Sequence, residues 1–145
     1  MMYHYYAGIR VTDLERSVKF YTGLLGLEEV SRGDAAPWGY GGGTYVHLMD
    51  KISRQRLELN WYPPGSPFNT PYVAGDGLDH LAFVVDDVEE TYNDLVAKGA
   101  KPTEMRPEKT DGWFAYVKDP DGNWIELLQP TEPKRAALKR SARKE

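Results

Sequence analysis

Two acids and one imidazole stand in segments whose alternation would put them to shared use. Glu126 lies in Asp119-Pro120-Asp121-Gly122-Asn123-Trp124-Ile125-Glu126-Leu127, and His80 in Leu78-Asp79-His80-Leu81-Ala82-Phe83-Val84-Val85-Asp86. Arg56-Leu57-Glu58-Leu59 echoes the Glu126 run earlier in the chain. In a strand, successive side chains leave opposite faces, so each of these polar groups sits across from an apolar face. Two carboxylates and an imidazole close together suit a divalent metal. A carboxylate enclosed in a cleft is costly unless it is hydrogen-bonded, paired or bound to a cation. Taken singly, Glu58 or Glu126 is more often a solvated residue on the wet face of a sheet, and His80 a surface or hydrogen-bonded histidine. Their recurrence in equivalent places favours a site.

That recurrence is a duplication. With an offset of 74 residues, the segment Tyr6 to Glu15 lies over His80 to Glu89. Each reads as a strand running into a helix, with Asp13 and Asp87 as N-caps and Asp87 with Glu90 as a capping box. Leu14, Val18, Tyr21 and Leu25 form the apolar stripe of the first helix; Val88, Tyr92, Leu95 and Val96 form that of the second. Gly26 and Gly99 are stop signals. Strands are expected over 27–32, 44–49 and 54–61, and again over 101–106, 113–118 and 123–128. Asp119-Pro120-Asp121-Gly122 makes the last turn. The expected class is α+β: two β-α-β-β-β modules forming a curved eight-stranded mixed sheet with a concave metal-binding cleft. One domain is expected over 1–133, with module 1 at about 3–61, a Pro- and Gly-rich linker at 62–76 and module 2 at about 77–129. Residues 134–145 form a basic tail. The Gly-rich loop from Asp34 to Gly43 lacks the Lys-Ser/Thr ending of a phosphate loop, so no nucleotide role is expected.

The 145 residues suffice for one compact domain with a real core. No apolar run approaches the roughly 20 residues of a membrane span, and the start lacks the pattern of a secretory signal. Without cysteine there is no disulfide, zinc-thiolate site or thiol nucleophile. A cytoplasmic location is the default expectation. The tail carries six bases and one acid, net +5, which leaves −9 over Met1 to Pro133. So acidic a body argues against nucleic acid as the main partner, and the tail reads as a solvated terminus.

Alternation also sorts the faces. Tyr5, Ala7, Ile9 and Val11 oppose His4, Tyr6, Gly8 and Arg10. Leu57, Leu59 and Trp61 oppose Glu58. Leu81, Phe83 and Val85 oppose His80, and Ile125 and Leu127 oppose Glu126. The polar faces thus carry Tyr6, Glu58, His80 and Glu126.

Arg10-Val11-Thr12-Asp13-Leu14-Glu15-Arg16-Ser17, then Phe20-Tyr21 and Leu24-Leu25-Gly26-Leu27, with the closing Asp119-Pro120-Asp121-Gly122…Ile125-Glu126-Leu127, resemble the vicinal oxygen chelate superfamily. Its members include glyoxalase I (lactoylglutathione lyase), methylmalonyl-CoA epimerase, extradiol dioxygenases, and fosfomycin- and bleomycin-resistance proteins. The resemblance covers about Tyr3 to Gln129 and is closest to glyoxalase I. It implies four metal ligands, carried over by motif to Tyr6, Glu58, His80 and Glu126. His or Gln is usual at the first place. Phenolate is an unusual ligand, because a phenol must lose a proton with a reference pKa near 10. His4, two residues earlier on the same expected face, is the substitute.

The resemblance further implies a divalent ion (Ni, Zn, Co or Mn), glutathione as cosubstrate, a small-molecule substrate and a homodimer, with neither nucleic acid nor membrane as partner. The implied chemistry is proton transfer next to a carbonyl, with Glu126 as first and Glu58 as second choice of base. Arg10 corresponds to a position that can meet a substrate carboxylate; a structural ion pair is the equal alternative. The segment Met105 to Gly112, with Arg106 and Lys109, is a candidate cover for a ligand. Two other readings stay open. One is a metal-free, bleomycin-resistance-type binding protein using Trp38, Trp61, Trp113 and Trp124, although tryptophans are more often core or interface residues. The other is a dioxygenase or thiol transferase.

Overall fold

The computed structural model describes residues 5–35, 41–103, 108–110 and 112–132. The chain divides into two compact units, Met1–Tyr72 and Val73–Glu145.

In the first unit β1 (Ala7–Arg10) leads to α1 (Leu14–Lys19), followed by β2 (Glu28–Asp34), β3 (Thr44–Met49) and β4 (Arg56–Trp61). The sheet order is β1-β4-β3-β2. β1 runs parallel to β4, and the other neighbours are antiparallel. Alternation builds the core as expected. Val46 pairs with Leu59 and Leu48 with Leu57, all buried, while His47 and Glu58 are paired between them on the other face. α1 packs on β4, and its Val18 is buried.

Asp13 caps α1 by accepting from the Arg16 amide at 3.0 Å, satisfying one of the donors a helix start leaves unpaired. The helix departs from the expected 3.6-residue stripe after Lys19. Phe20–Leu24 forms a wider π turn, which advances the phase and buries Phe20 beside Tyr21. Leu25, expected on the buried stripe, is only half-buried. Gly26, at φ 77, then ends the helix.

The second unit repeats the plan with β5 (His80–Val84), α2 (Val88–Ala97), β6 (Lys101–Pro102), β7 (Glu108–Thr110), β8 (Gly112–Lys118) and β9 (Trp124–Gln129). The order is β5-β9-β8-β6, with β7 also paired to β8. β5 is parallel to β9, as β1 is to β4. Ala115 pairs with Leu127 and Val117 with Ile125, all buried. α2 packs on β8 and β9 and buries Val88, Tyr92 and Leu95.

The β-α-β-β-β order expected for each module is present, and β7 is an addition to it. Of the strand expected over 101–106, Lys101–Pro102 forms β6, and residues 104–106 lie outside the described residues. Thr103 donates through its hydroxyl to the Tyr116 carbonyl. Within the segment considered as a ligand cover, Glu108–Thr110 is a strand of the β8 hairpin; Met105 and Arg106 lie outside the described residues, as do His4, Trp38 and the tail beyond 132.

The Asp119-Pro120-Asp121-Gly122 turn is held by a buried carboxylate. Asp119 accepts from the amides of Asp121 and Asn123 and from the Asn123 side chain, at 2.9, 2.8 and 2.8 Å. Replacing it strands those donors in the interior. Asp119→Ala is therefore expected to cost about 3 kcal/mol, read as a lowered urea midpoint in equilibrium unfolding; an unchanged midpoint would show that the turn does not depend on this carboxylate.

Candidate functional site

Each module carries one carboxylate–imidazole pair, built by the same strand geometry. In the second module Glu126 pairs across the ladders with Ala82 of β5 and Tyr116 of β8. His80 lies two residues before Ala82 and therefore on the same face. Its Nε2 stands 3.2 Å from Glu126 Oε2. The other carboxylate oxygen, Oε1, accepts the Tyr116 hydroxyl at 3.0 Å. The other imidazole nitrogen, Nδ1, lies 2.6 Å from the exposed Asp79 carboxylate. The arrangement fixes the ring in the way that outer carboxylates orient metal-bound histidines.

In the first module Glu58 pairs with Gly8 of β1 and His47 of β3. His47 Nε2 stands 3.1 Å from Glu58 Oε2, and Glu58 Oε1 accepts from Asn60 Nδ2 at 2.9 Å. Tyr6 sets its ring edge-to-face against His47, with centroids 4.9 Å apart. His47 Nδ1 is buried without a hydrogen-bond partner. The residues opposite the two carboxylates on the parallel strand are small, Gly8 and Ala82.

Both pairs have donor atoms suited to a divalent cation. A neutral imidazole lone pair and a carboxylate oxygen repel each other at 3.1–3.2 Å unless a proton or a metal ion neutralises the contact. Bonds of about 2.0–2.2 Å from such atoms to one ion span that separation. Among the described residues, no group of three or more His, Asp or Glu side chains is close enough to hold an ion; each pair by itself supplies two donors.

Arg10 is engaged with the linker. Its guanidinium donates to the Phe68 carbonyl at 2.9 Å, to the Thr70 hydroxyl and to the Pro71 carbonyl, and it lies over the Tyr72 ring. All of these partners are uncharged. None of the described tryptophans is fully buried; Lys118 Nζ covers the Trp124 ring at 4.8 Å.

His47 and Tyr116 were not singled out by sequence alone. The signal for both was available: each occupies the central alternate position of a recognised strand, and pairing that strand with the next brings it opposite the glutamate.

Residues 3–127 match the family described as Glyoxalase/Bleomycin resistance protein/Dioxygenase superfamily. The chain belongs to this superfamily. A probable lactoylglutathione lyase of Vibrio parahaemolyticus is 34% identical over 125 residues, covering 83% of this chain and 86% of that protein. Among solved structures, the trypanothione-dependent glyoxalase I of Leishmania major superposes with a TM-score of 0.70 at 31% identity, covering 97% and 98% of the two chains. Glyoxalase I of Zea mays gives 0.67 at 27% identity; this chain spans 88% of its own length there but 44% of the maize protein. Within the superfamily the chain is lactoylglutathione lyase-like. No helix among the described residues is long and apolar enough to cross a membrane.

Tyr116 also reports on its surroundings. Desolvation first, then its hydrogen bond to Glu126 and the charges of Glu126 and Asp79, push its phenol up to about 12. The neutral phenol is thus favoured by folding. Its contribution to stability is fully present below the ordinary value near 10 and is lost as pH rises through about 12. Absorbance titration is expected to show a late-ionising tyrosine that Tyr116→Phe removes. The stability gap between the two proteins should narrow across that window in urea melts at pH 8 and 11.5; a gap that widens would contradict the assigned direction.

Proposed function

We propose that this superfamily member is a metal-dependent lyase or isomerase of glyoxalase type that moves a proton between carbons next to a carbonyl. The methylglyoxal–glutathione hemithioacetal is its leading substrate. The observation that carries the reading is the Glu126–His80 pair at 3.2 Å, repeated as a carboxylate–imidazole pair in the other module, in a chain similar to lactoylglutathione lyases. Glu58 of the first module and His80 and Glu126 of the second are the proposed protein ligands, and a divalent ion (Ni, Co, Zn or Mn), if held by such ligands, would supply Lewis acidity toward substrate oxygens.

The work of the chain's own groups follows from their contacts. Glu126 is the first choice of base. Its Oε1 is occupied by the Tyr116 hydroxyl, so Oε2, once loosened from the ligand position it shares with His80 Nε2, is the oxygen that would accept the carbon-bound proton and return it to the adjacent carbon. Asp79 holds the His80 ring through Nδ1 and directs Nε2 toward the reacting side. Glu58, with Oε1 held by Asn60, is the second candidate base. Tyr6 belongs to the first module's wall beside His47. A homodimer is part of the same reading.

Elemental analysis of the full chain, followed by turnover of the hemithioacetal, tests the proposal. Stoichiometric divalent metal is expected in the native protein. Glu126→Gln should lower turnover by about 10²–10⁴-fold, and His80→Ala should lose metal. A protein that takes up none of these ions yet quenches its tryptophans saturably with a small ligand would instead be a binding protein of the bleomycin-resistance kind. Iron-dependent oxygen uptake would point to a dioxygenase.

A further inference from the structure

The face of the second sheet that carries Glu126 also carries two cations. Lys101 of β6 pairs with Lys118 of β8, Lys118 with Trp124 of β9, and Trp124 with His80 of β5. Residues opposite each other across a ladder share a face. Lys101, Lys118, Trp124 and His80 therefore form one row, beside the row of Tyr116 and Glu126. The contacts agree: Lys118 Nζ lies over the Trp124 ring at 4.8 Å, and that ring meets Tyr116 at 5.4 Å. Like charges directly opposite each other destabilise a sheet unless something offsets them. Lys101 is exposed and donates to the Pro120 carbonyl at 3.0 Å. Lys118 is half-buried, and its ammonium has no carboxylate partner among the described residues. The acid on the same face, Glu126, has its two oxygens engaged by Tyr116 and His80.

We propose that Lys118, with Lys101 beside it, anchors a carboxylate of the ligand. The inference rests on the reading of Glu126 as base and adds a substrate class to it: compounds whose carboxylate stands several bonds from the reacting carbon. Lys118 is the diagonal neighbour of Glu126 across the β8–β9 ladder, a separation of about 7–8 Å at the backbone. Its ammonium is turned over Trp124. A partly buried ammonium without a counter-charge is costly, and a bound carboxylate removes that cost. The indole also supports the long lysine stem, so less side-chain freedom is lost when an anion docks. One ammonium, next to a second already tied to a carbonyl, suits a singly charged group.

The test measures binding and turnover separately on the full chain. S-Methylglutathione and its dimethyl ester, which differ only in their carboxylates, are titrated against tryptophan fluorescence. The methylglyoxal hemithioacetals of glutathione and of its dimethyl ester are followed for turnover. The wild type is expected to bind the acid about tenfold more tightly than the ester, and to show the same preference in KM with kcat little changed. Lys118→Gln should remove the preference by weakening the acid alone, and Lys118→Arg should restore most of it. Lys101→Gln should reduce it by a smaller factor. A lysine with a structural part only would shift both compounds together. A wild type that does not bind the acid more tightly than the ester overturns the anchor, as does a preference that survives in Lys118→Gln; turnover of the hemithioacetals then still upholds the lyase reading. A preference that disappears in Lys118→Gln, in a protein that turns over neither hemithioacetal, upholds the anchor and removes the lyase reading. The wild-type comparison requires no variant to fold.

Discussion

The structure depends on one constraint of β-sheet geometry: residues paired across a ladder project from the same face. In each module that rule places apolar pairs on one side and a glutamate with its cross-strand partner on the other. The apolar side is covered by a helix and supplies the core. The polar side can then hold a partly buried carboxylate only because both of its oxygens have neighbours. Glu58 has Asn60 and His47; Glu126 has Tyr116 and His80. Shift either strand by one residue and the whole set would turn into the helix-packed layer. The same register therefore specifies the core and the chemical face.

Much of this was legible in the chain. Alternation identified the faces of the strands, two aspartates marked the helix starts, and the 74-residue offset exposed the duplication. What escaped had physical causes. The π turn at Phe20–Leu24 arises from packing that buries two adjacent aromatics, which a fixed 3.6-residue period cannot express. The extra β7 is a tertiary pairing to β8, with little local signal of its own. Of the residues singled out, His80 and Glu126 stand 3.2 Å apart. His47 and Tyr116 became visible only once strand neighbours were known, because a single strand shows which face a residue takes but not what stands beside it.

Arg10 illustrates the difference between a side chain's type and its use. Sequence resemblance left it balanced between a substrate contact and a structural one. Its guanidinium is spread over two carbonyls, a hydroxyl and an aromatic ring of the linker. An anion seeking this group would have to compete with four existing partners. The fork geometry of Arg suits such a tie, and here it fastens an otherwise irregular segment to the end of β1.

The Tyr116–Glu126 hydrogen bond has a stereochemical corollary. With its phenol held protonated to well above neutral pH, Tyr116 keeps one arm of the carboxylate engaged at every physiological pH. Were Glu126 the base of the proposed reaction, that held arm would let it reach a substrate from one side only. Hydrogen taken from a prochiral centre by such a group would be delivered back on the same side, so handedness in the product would be written by a phenol that never touches the reacting carbon.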